Sequence, residues 1–243
     1  MTPNLTVEAA LAAGQTGRVD PRLRAAIDAS LSWYDDVFIL HGIPTRTRQG
    51  LWSALGTPPP WHSAAKTVQP GVEADQVGLA TDAFEQCSVA DSFGDLSLDR
   101  HGFELLFEAA WFHRAAADGP SGPLPEGWSV VSTAPDLAAW SEAHDYTGVL
   151  LPDVLDNPRF RILARHRDGA LVGGAVTHRG TDVVDLSNVW GGDEDPTLYD
   201  ELFAAVQALH PGRAVTGYAA GEELEAVLAR GFTSVGTQRV WVR

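Results

Sequence analysis

The sequence predicts an α/β fold, and three stretches carry that prediction. Phe160 to Arg167 and Leu171 to His178 are β-rich runs joined by Asp168-Gly169, a dipeptide suited to a two-residue hairpin turn. Val183 to Val189 follows the turn Arg179-Gly180-Thr181-Asp182, and the helix-like run Leu198 to Leu209 comes next, so strands lead into a helix through a loop. Leu23, Ile27, Leu31, Tyr34 and Phe38 recur at helical spacing and predict a long amphipathic helix from Pro21 to about Leu40.

Composition narrows the function classes. A chain of 243 residues, 44% hydrophobic and 20% charged, is long enough for a sizeable core and suits one large domain or two modest ones. A net charge of -15 argues against nucleic acid and against an anionic membrane, because both need a basic face; solubility accounts for the same charge. Cys87 is the only cysteine, which excludes an intrachain disulfide and a multi-cysteine metal site, and its default role is an inert thiol. The start, MTPNLTVEAALAAG, lacks the basic leader of a signal peptide, and no run approaches the roughly 18 apolar residues of a membrane helix. A cytoplasmic location is the expectation.

Taken in order, Thr6 to Ala13 is a small helix candidate, and Asp20 caps the long helix with Pro21 in its first position. His41-Gly42-Ile43-Pro44 ends it. Trp52, the prolines Pro58 to Pro60 and Trp61 suggest a rigid connector over the core. Trp61 to Gln69 reads as a strand holding Lys66, the only lysine; a Schiff-base role is conceivable for it, but an exposed cation is the commoner case. A helix over Glu73 to Glu85, a strand over Cys87 to Phe93, a turn at Asp99 to Gly102 and a strand over Phe103 to His113 follow, the last on alternating aromatic residues. Ala115 to Gly127 is rich in glycine and proline, and places a boundary near Gly122 between parts 1–121 and 122–243.

The second part continues with a strand from Trp128 to Ser132, Thr133 as N-cap of a helix Pro135 to His144, and a short helix Pro152 to Asp156. Beyond Leu209 come a strand Ala214 to Tyr218, a helix Glu222 to Ala229 and a strand Val235 to Val242. Arg230-Gly231-Phe232 supplies the helix stop. That order of elements, the Gly173-Gly174 pair, and Arg230-Gly231-Phe232 followed by a tryptophan in the last strand resemble the GCN5-related N-acetyltransferase (GNAT) family. The phrases PPPWHSAAKTVQPG, VADSFGDL and HGFELLFEAAWFHR are similar to an uncharacterised two-part group of such proteins with a degenerate N-terminal half.

The resemblance implies an α/β (α+β) fold with a mixed, mostly antiparallel sheet flanked by helices, an acyl-CoA cofactor such as acetyl-CoA, and an amine of a small molecule as acceptor. Family members hold the cofactor on an Arg/Gln-x-x-Gly-x-Gly/Ala loop after the fourth strand. The corresponding stretch here is Asn188, Val189, Trp190, Gly191 and Gly192, followed by Asp193, Glu194, Asp195 and Pro196. Two glycines remain, the opening basic or amide residue is out of register, and three carboxylates follow that complement a helix dipole but repel a diphosphate.

By the same resemblance Asp185 is the candidate base, sharing one strand face with Ser187 while Asn188 takes the other. The usual tyrosine position on the last helix holds Val227, which leaves Tyr218 as the candidate acid. His166 and His178 with Asp185 lack any metal-ligand spacing, and no GxSxG elbow, Walker loop or dinucleotide fingerprint is present. Three functions fit: an acyl-CoA-dependent N-acyltransferase; a GNAT-like protein without acyl transfer that binds another small ligand or a protein; or an acyl-CoA decarboxylase or hydrolase on the same fold.

Overall fold

The computed structural model describes residues 19–116, 122–191, 195 and 197–243. The Thr6 to Ala13 helix candidate and residues 192–194 lie outside that range. In chain order the described elements are α1 (Pro21–Leu40), β1 (Thr45–Arg48), β2 (Leu51–Ala54), β3 (Ala65–Thr67), α2 (Ala74–Thr81), β4 (Ser88–Asp91) and β5 (Glu104–Arg114). Next come β6 (Trp128–Val130), α3 (Ala134–Ala143), β7 (Phe160–Arg167), β8 (Ala170–Arg179) and β9 (Val183–Trp190). The chain ends with α4 (Leu198–Leu209), β10 (Ala214–Ala219), α5 (Gly221–Leu228) and β11 (Thr233–Val242).

All of these strands form one sheet in the order β1-β2-β3-β4-β11-β5-β10-β9-β8-β7-β6. Neighbours are antiparallel except β3 with β4 and β10 with β9. Strand β5, which precedes the glycine- and proline-rich stretch, is hydrogen-bonded between β10 and β11, and β11 continues the sheet to β4. One face packs on α4 through Leu202, Val206 and Val227 of α5; the other packs on α1 and α3 through Trp33, Val37, Leu137 and Trp140.

Local chemistry accounts for most boundaries. Asp20 accepts the Arg22 backbone N–H at the start of α1, with Pro21 at the position whose missing N–H costs nothing. Thr133 caps α3 in the same way through Asp136. Asp168 and Gly169 both adopt positive φ, the geometry whose twist matches a β7–β8 hairpin.

The region 45–67 departs from expectation. Thr45 to Ala54, for which no strand was expected, forms the hairpin β1–β2, turned by Gln49 and Gly50 with φ of 50° and 81°, and Trp52 of the expected connector lies in β2. The expected strand Trp61 to Gln69 shrinks to Ala65–Thr67, because Trp61 has φ 63° and turns its ring out to solvent. His62 then pins the proline segment: Trp33 Nε1 donates to its Nε2 at 3.1 Å, so Nδ1 carries the proton and donates to Pro60 O at 3.0 Å. Burial pushes this histidine down to about 4, and it stays neutral. Helix α2 stops at Thr81 rather than Glu85, and the Arg243 guanidinium donates to the carbonyls of Thr81 and Phe84.

The sheet curls around α1. Strands β4 and β11 lie between β3 and β5, about 14 Å of flat sheet. Even so, Lys66 on β3 puts its Nζ 5.2 Å from the ring of Trp111 on β5. Lys66 is fully buried, which corrects the expectation of an exposed cation.

Gly174 illustrates how tightly α3 is seated. A Cβ there would lie 2.3 Å from Trp140 Nε1 and 2.5 Å from Leu163 O, the two ends of a 2.9 Å hydrogen bond that crosses directly over the glycine. Gly174→Ala is expected to destabilise the fold by about 3 kcal/mol, read as a lower urea midpoint at unchanged slope. An unchanged midpoint would contradict this packing.

Candidate functional site

The site forms where two parallel strands part. β9 and β10 pair at Val183/Ala214, Val184/Val215 and Asp185/Thr216, and the pairing ends there. On its other side β9 stays with β8, but the register shifts between Gly174/Trp190 and Val176/Ser187, a bulge centred on Asn188, whose φ is 53°. Beyond Asp185, then, the backbone edge of β9 that faces β10 has no strand partner among the described residues.

Asp185 lies on the sheet face covered by α1, 5% exposed, opposite His178 of β8. No described group hydrogen-bonds to its carboxyl. Burial raises it to about 7, and the nearby positive charge of Lys66 opposes that rise. Lys66 is itself lowered to about 8 by burial, against the pull of Asp185 and Asp91. Its Nζ has no hydrogen-bond partner among the described residues and sits 5.3 Å from the Tyr34 ring as well as 5.2 Å from Trp111.

Tyr218 shares this face and packs edge-on against Trp111 at 5.4 Å between ring centres. It keeps 40% of its surface accessible; desolvation of the side packed on Trp111, with the charges of neighbouring ionisable groups, raises its hydroxyl above the usual phenol range. Tyr218 thus presents one side to solvent and the other to Trp111.

Ser187 and Asn188 do not separate onto opposite faces as expected. The positive φ at Asn188 brings its side chain to the α3 side, where Nδ2 donates to Ser187 Oγ at 3.0 Å and Oδ1 lies 3.4 Å from His144 Nε2. Val189 turns to the α4 core, while the Trp190 ring packs against Trp140 and His144. Their side chains serve the core, so only their backbone is offered to a ligand.

No protein-family model matches the chain, and no curated protein sequence matches it. Solved structures do. A GCN5-related N-acetyltransferase from Kribbella flavida superposes with a TM-score of 0.62 at 16% identity, over 89% of this chain and 95% of that one. A functionally unknown conserved protein from Staphylococcus epidermidis gives 0.60 at 10% identity, over 86% and 96%. A GCN5-related N-acetyltransferase-like protein from Streptococcus suis gives 0.51 at 12%, over 92% and 99%. The fold is that of the GNAT proteins.

Within that GNAT fold, the α4 N-terminus is the part that departs most from the pattern. Gly191 has φ 81° and ends β9, Gly192, Asp193 and Glu194 lie outside the described residues, and Asp195 is bound tightly in place. Asp195 accepts the Thr197 backbone N–H at 2.9 Å and pairs with Arg165 Nη2 at 2.7 Å. Arg165, 1% exposed on β7, also holds Glu201 through Nε at 3.0 Å, and Glu201 in turn takes Arg167 and Trp128 Nε1. The bonds from Thr197 and Arg165 hold Asp195 at about 2; burial works against Glu201, but bonds from Trp128, Arg165 and Arg167 hold it at about 2 too. Asp195 thus contributes a neutralised pair rather than the bare negative charge suggested by the sequence.

Val227, at the position where the resemblance looks for a tyrosine, is core. His178 Nε2 is engaged 2.8 Å from Asp36, and among the described residues no three metal-ligating side chains converge. Two hollows of about 210 and 480 Å3 lie elsewhere, one beside β6 and Val154, the other beside Arg114 and Phe203, and neither includes Asp185.

Arg165→Met removes the buried cation that Asp195 and Glu201 share, leaving Asp195 with Thr197 and Glu201 with Arg167 and Trp128, and is expected to lower the urea midpoint. Because both carboxyls are depressed, the network's stability is present above pH 4.5 and is lost as pH falls towards 2. Urea unfolding at pH 7 and at pH 2.5 checks both points: the difference between wild type and variant should shrink at the lower pH, and a constant difference would contradict the assignment.

Proposed function

We propose that this chain transfers an acyl group from an acyl-CoA such as acetyl-CoA to the amine of a small molecule, with Asp185 as the base. The single observation that carries this reading is the buried Asp185 carboxyl, without a hydrogen-bond partner among the described residues, at the point where β9 and β10 part; burial pushes it up to about 7. A base is most effective when its pKa lies close to the working pH. Bound acyl-CoA supplies the activated acyl group. The unpaired edge of β9 from Ser187 to Gly191 suits the amide-bearing arm of such a molecule, which pairs as a short strand would.

In this reading Asp185 accepts the proton that the acceptor ammonium must lose before its nitrogen can attack. Tyr218, one strand away on the same face, holds its proton strongly and delivers it to the leaving sulfur. Ser187 positions Asn188, and through it the bulge that opens the edge.

Asp185→Asn is expected to lower the transfer rate by about 10²- to 10⁴-fold with acetyl-CoA binding retained, and the wild-type rate should rise as pH passes through about 7. Undiminished transfer by the variant would remove Asp185 from the mechanism.

A second reading is a GNAT-like protein that binds another small ligand without acyl transfer. Asp195 favours it, because that residue already occupies an N–H at the α4 N-terminus where a diphosphate would be bound. Calorimetric titration with acetyl-CoA, CoA and a longer acyl-CoA separates the two. Micromolar binding is expected for the transferase, and absence of heat with all three would favour the second reading.

A further inference from the structure

Lys66 is used neither by the fold's hydrogen bonding nor by the reaction as described above. It is the only lysine in a chain whose other basic residues are arginine and histidine. Arginine brings a broad fork that binds carboxylates in pairs of hydrogen bonds, whereas lysine is a compact point charge. This one point charge is fully buried, makes no hydrogen bond among the described residues, and is pinched between the faces of Tyr34 and Trp111. A lysine kept for a structural ion pair would touch a carboxylate within 4 Å, and Lys66 forms no such pair among the described residues. Burying an ammonium without such a partner is costly, which makes a purely structural role a poor account of it.

Four strands separate Lys66 of β3 from Asp185 of β9 in the sheet order, yet Lys66 reaches Tyr34 of α1 and Trp111 of β5 on the face that carries Asp185, and its charge opposes the rise of that carboxyl. Trp111, which covers Lys66, also packs on Tyr218, so one indole ring lies between the ammonium and that phenol. Other charged or titratable groups around Asp185 are engaged or neutral. His178 of β8 is bound to Asp36 of α1, which Arg159 also pairs; His144 at the end of α3 is bonded to Asn188; and Tyr34, Tyr146 and Tyr218 are neutral phenols. Asp91 of β4 accepts the backbone N–H groups of Phe93, Gly94 and Leu96, and Glu223 of α5 is negative or neutral. Lys66 is thus the cation left to act on Asp185.

We propose that Lys66 is a positioning residue of this site, whose caged ammonium keeps the Asp185 carboxyl in the ionised form able to accept a proton. The inference rests on the acyltransferase reading for its catalytic meaning, but the coupling between the two side chains can be measured without any turnover. The aromatic cage has a second role here: it keeps the ammonium from collapsing into a direct ion pair, in which the carboxylate would be too weak a base.

A protein labelled with ¹³Cε-lysine gives a single lysine side-chain signal, and its titration reads Lys66 directly. The expected midpoint is near pH 8, falling further in Asp185→Asn, because the carboxylate that favours the charged lysine is gone. A midpoint unchanged in that variant would overturn the proposal. Lys66→Met should lower kcat/KM at pH 7 about tenfold, with the loss recovered at higher pH, and Lys66→Arg should restore part of it. A loss equal at every pH would also overturn it, since that is what damaged packing produces. Coupling without any acyl transfer would refute the acyltransferase reading alone; transfer without coupling would refute the role of Lys66 alone.

Discussion

Helix α1 is held in the concave face of a single continuous sheet, and every chemically active residue takes its position from that grip. Ile27 packs with Trp111 of β5, Trp33 with Phe160 of β7, and Phe38 with Trp52 of β2 at 4.9 Å between ring centres. Asp36 adds polar contacts to His178 and Arg159. Strands at opposite ends of the sheet are drawn around one helix, and the side chains they aim inward converge. The same packing would be lost in a flat sheet, where β3 and β9 are too far apart to share an electrostatic environment.

That convergence produces a site made mostly of costs. Asp185 binds its proton more tightly in the folded chain than an unfolded carboxyl does near pH 4, so its contribution to stability is present below that pH and is lost as pH rises through about 7. Lys66, displaced in the opposite direction, is charged at a cost in the same range. Neither group has the hydrogen bonds that would offset this. By contrast, the network of Arg165 with Asp195 and Glu201 is saturated with hydrogen bonds and ties the α4 N-terminus to β7. One cluster of charge stabilises the fold, while the other is tolerated by it, and the second is where chemistry is expected.

Much of this architecture was legible in the sequence because it is governed by local rules. Asp20-Pro21, Thr133, Asp168-Gly169 and Arg230-Gly231-Phe232 are caps and turns whose conformations follow from the residue types, and α1, β7 and α4 fall where periodicity put them. The Gln49-Gly50 hairpin turn is not legible there, because Gln-Gly is a weak turn signal beside Asn-Gly or Asp-Gly. Other features are non-local: the insertion of β5 between β10 and β11, and the burial of Lys66, depend on pairing partners far away in sequence. Asn188 was misplaced for a different reason. Strand alternation assumes an unbroken pleat, and a residue with positive φ breaks it.

In the proposed acyl transfer, an acyl-CoA lies along the strand edge of β9 beside the Asn188 bulge. Amide hydrogen exchange of the whole protein, with and without acetyl-CoA, tests it most directly. Slowed exchange is expected to be concentrated between Ser187 and Gly191, where β9 has no partner towards β10 among the described residues. Protection confined to other segments, or none at saturating acetyl-CoA, would contradict it.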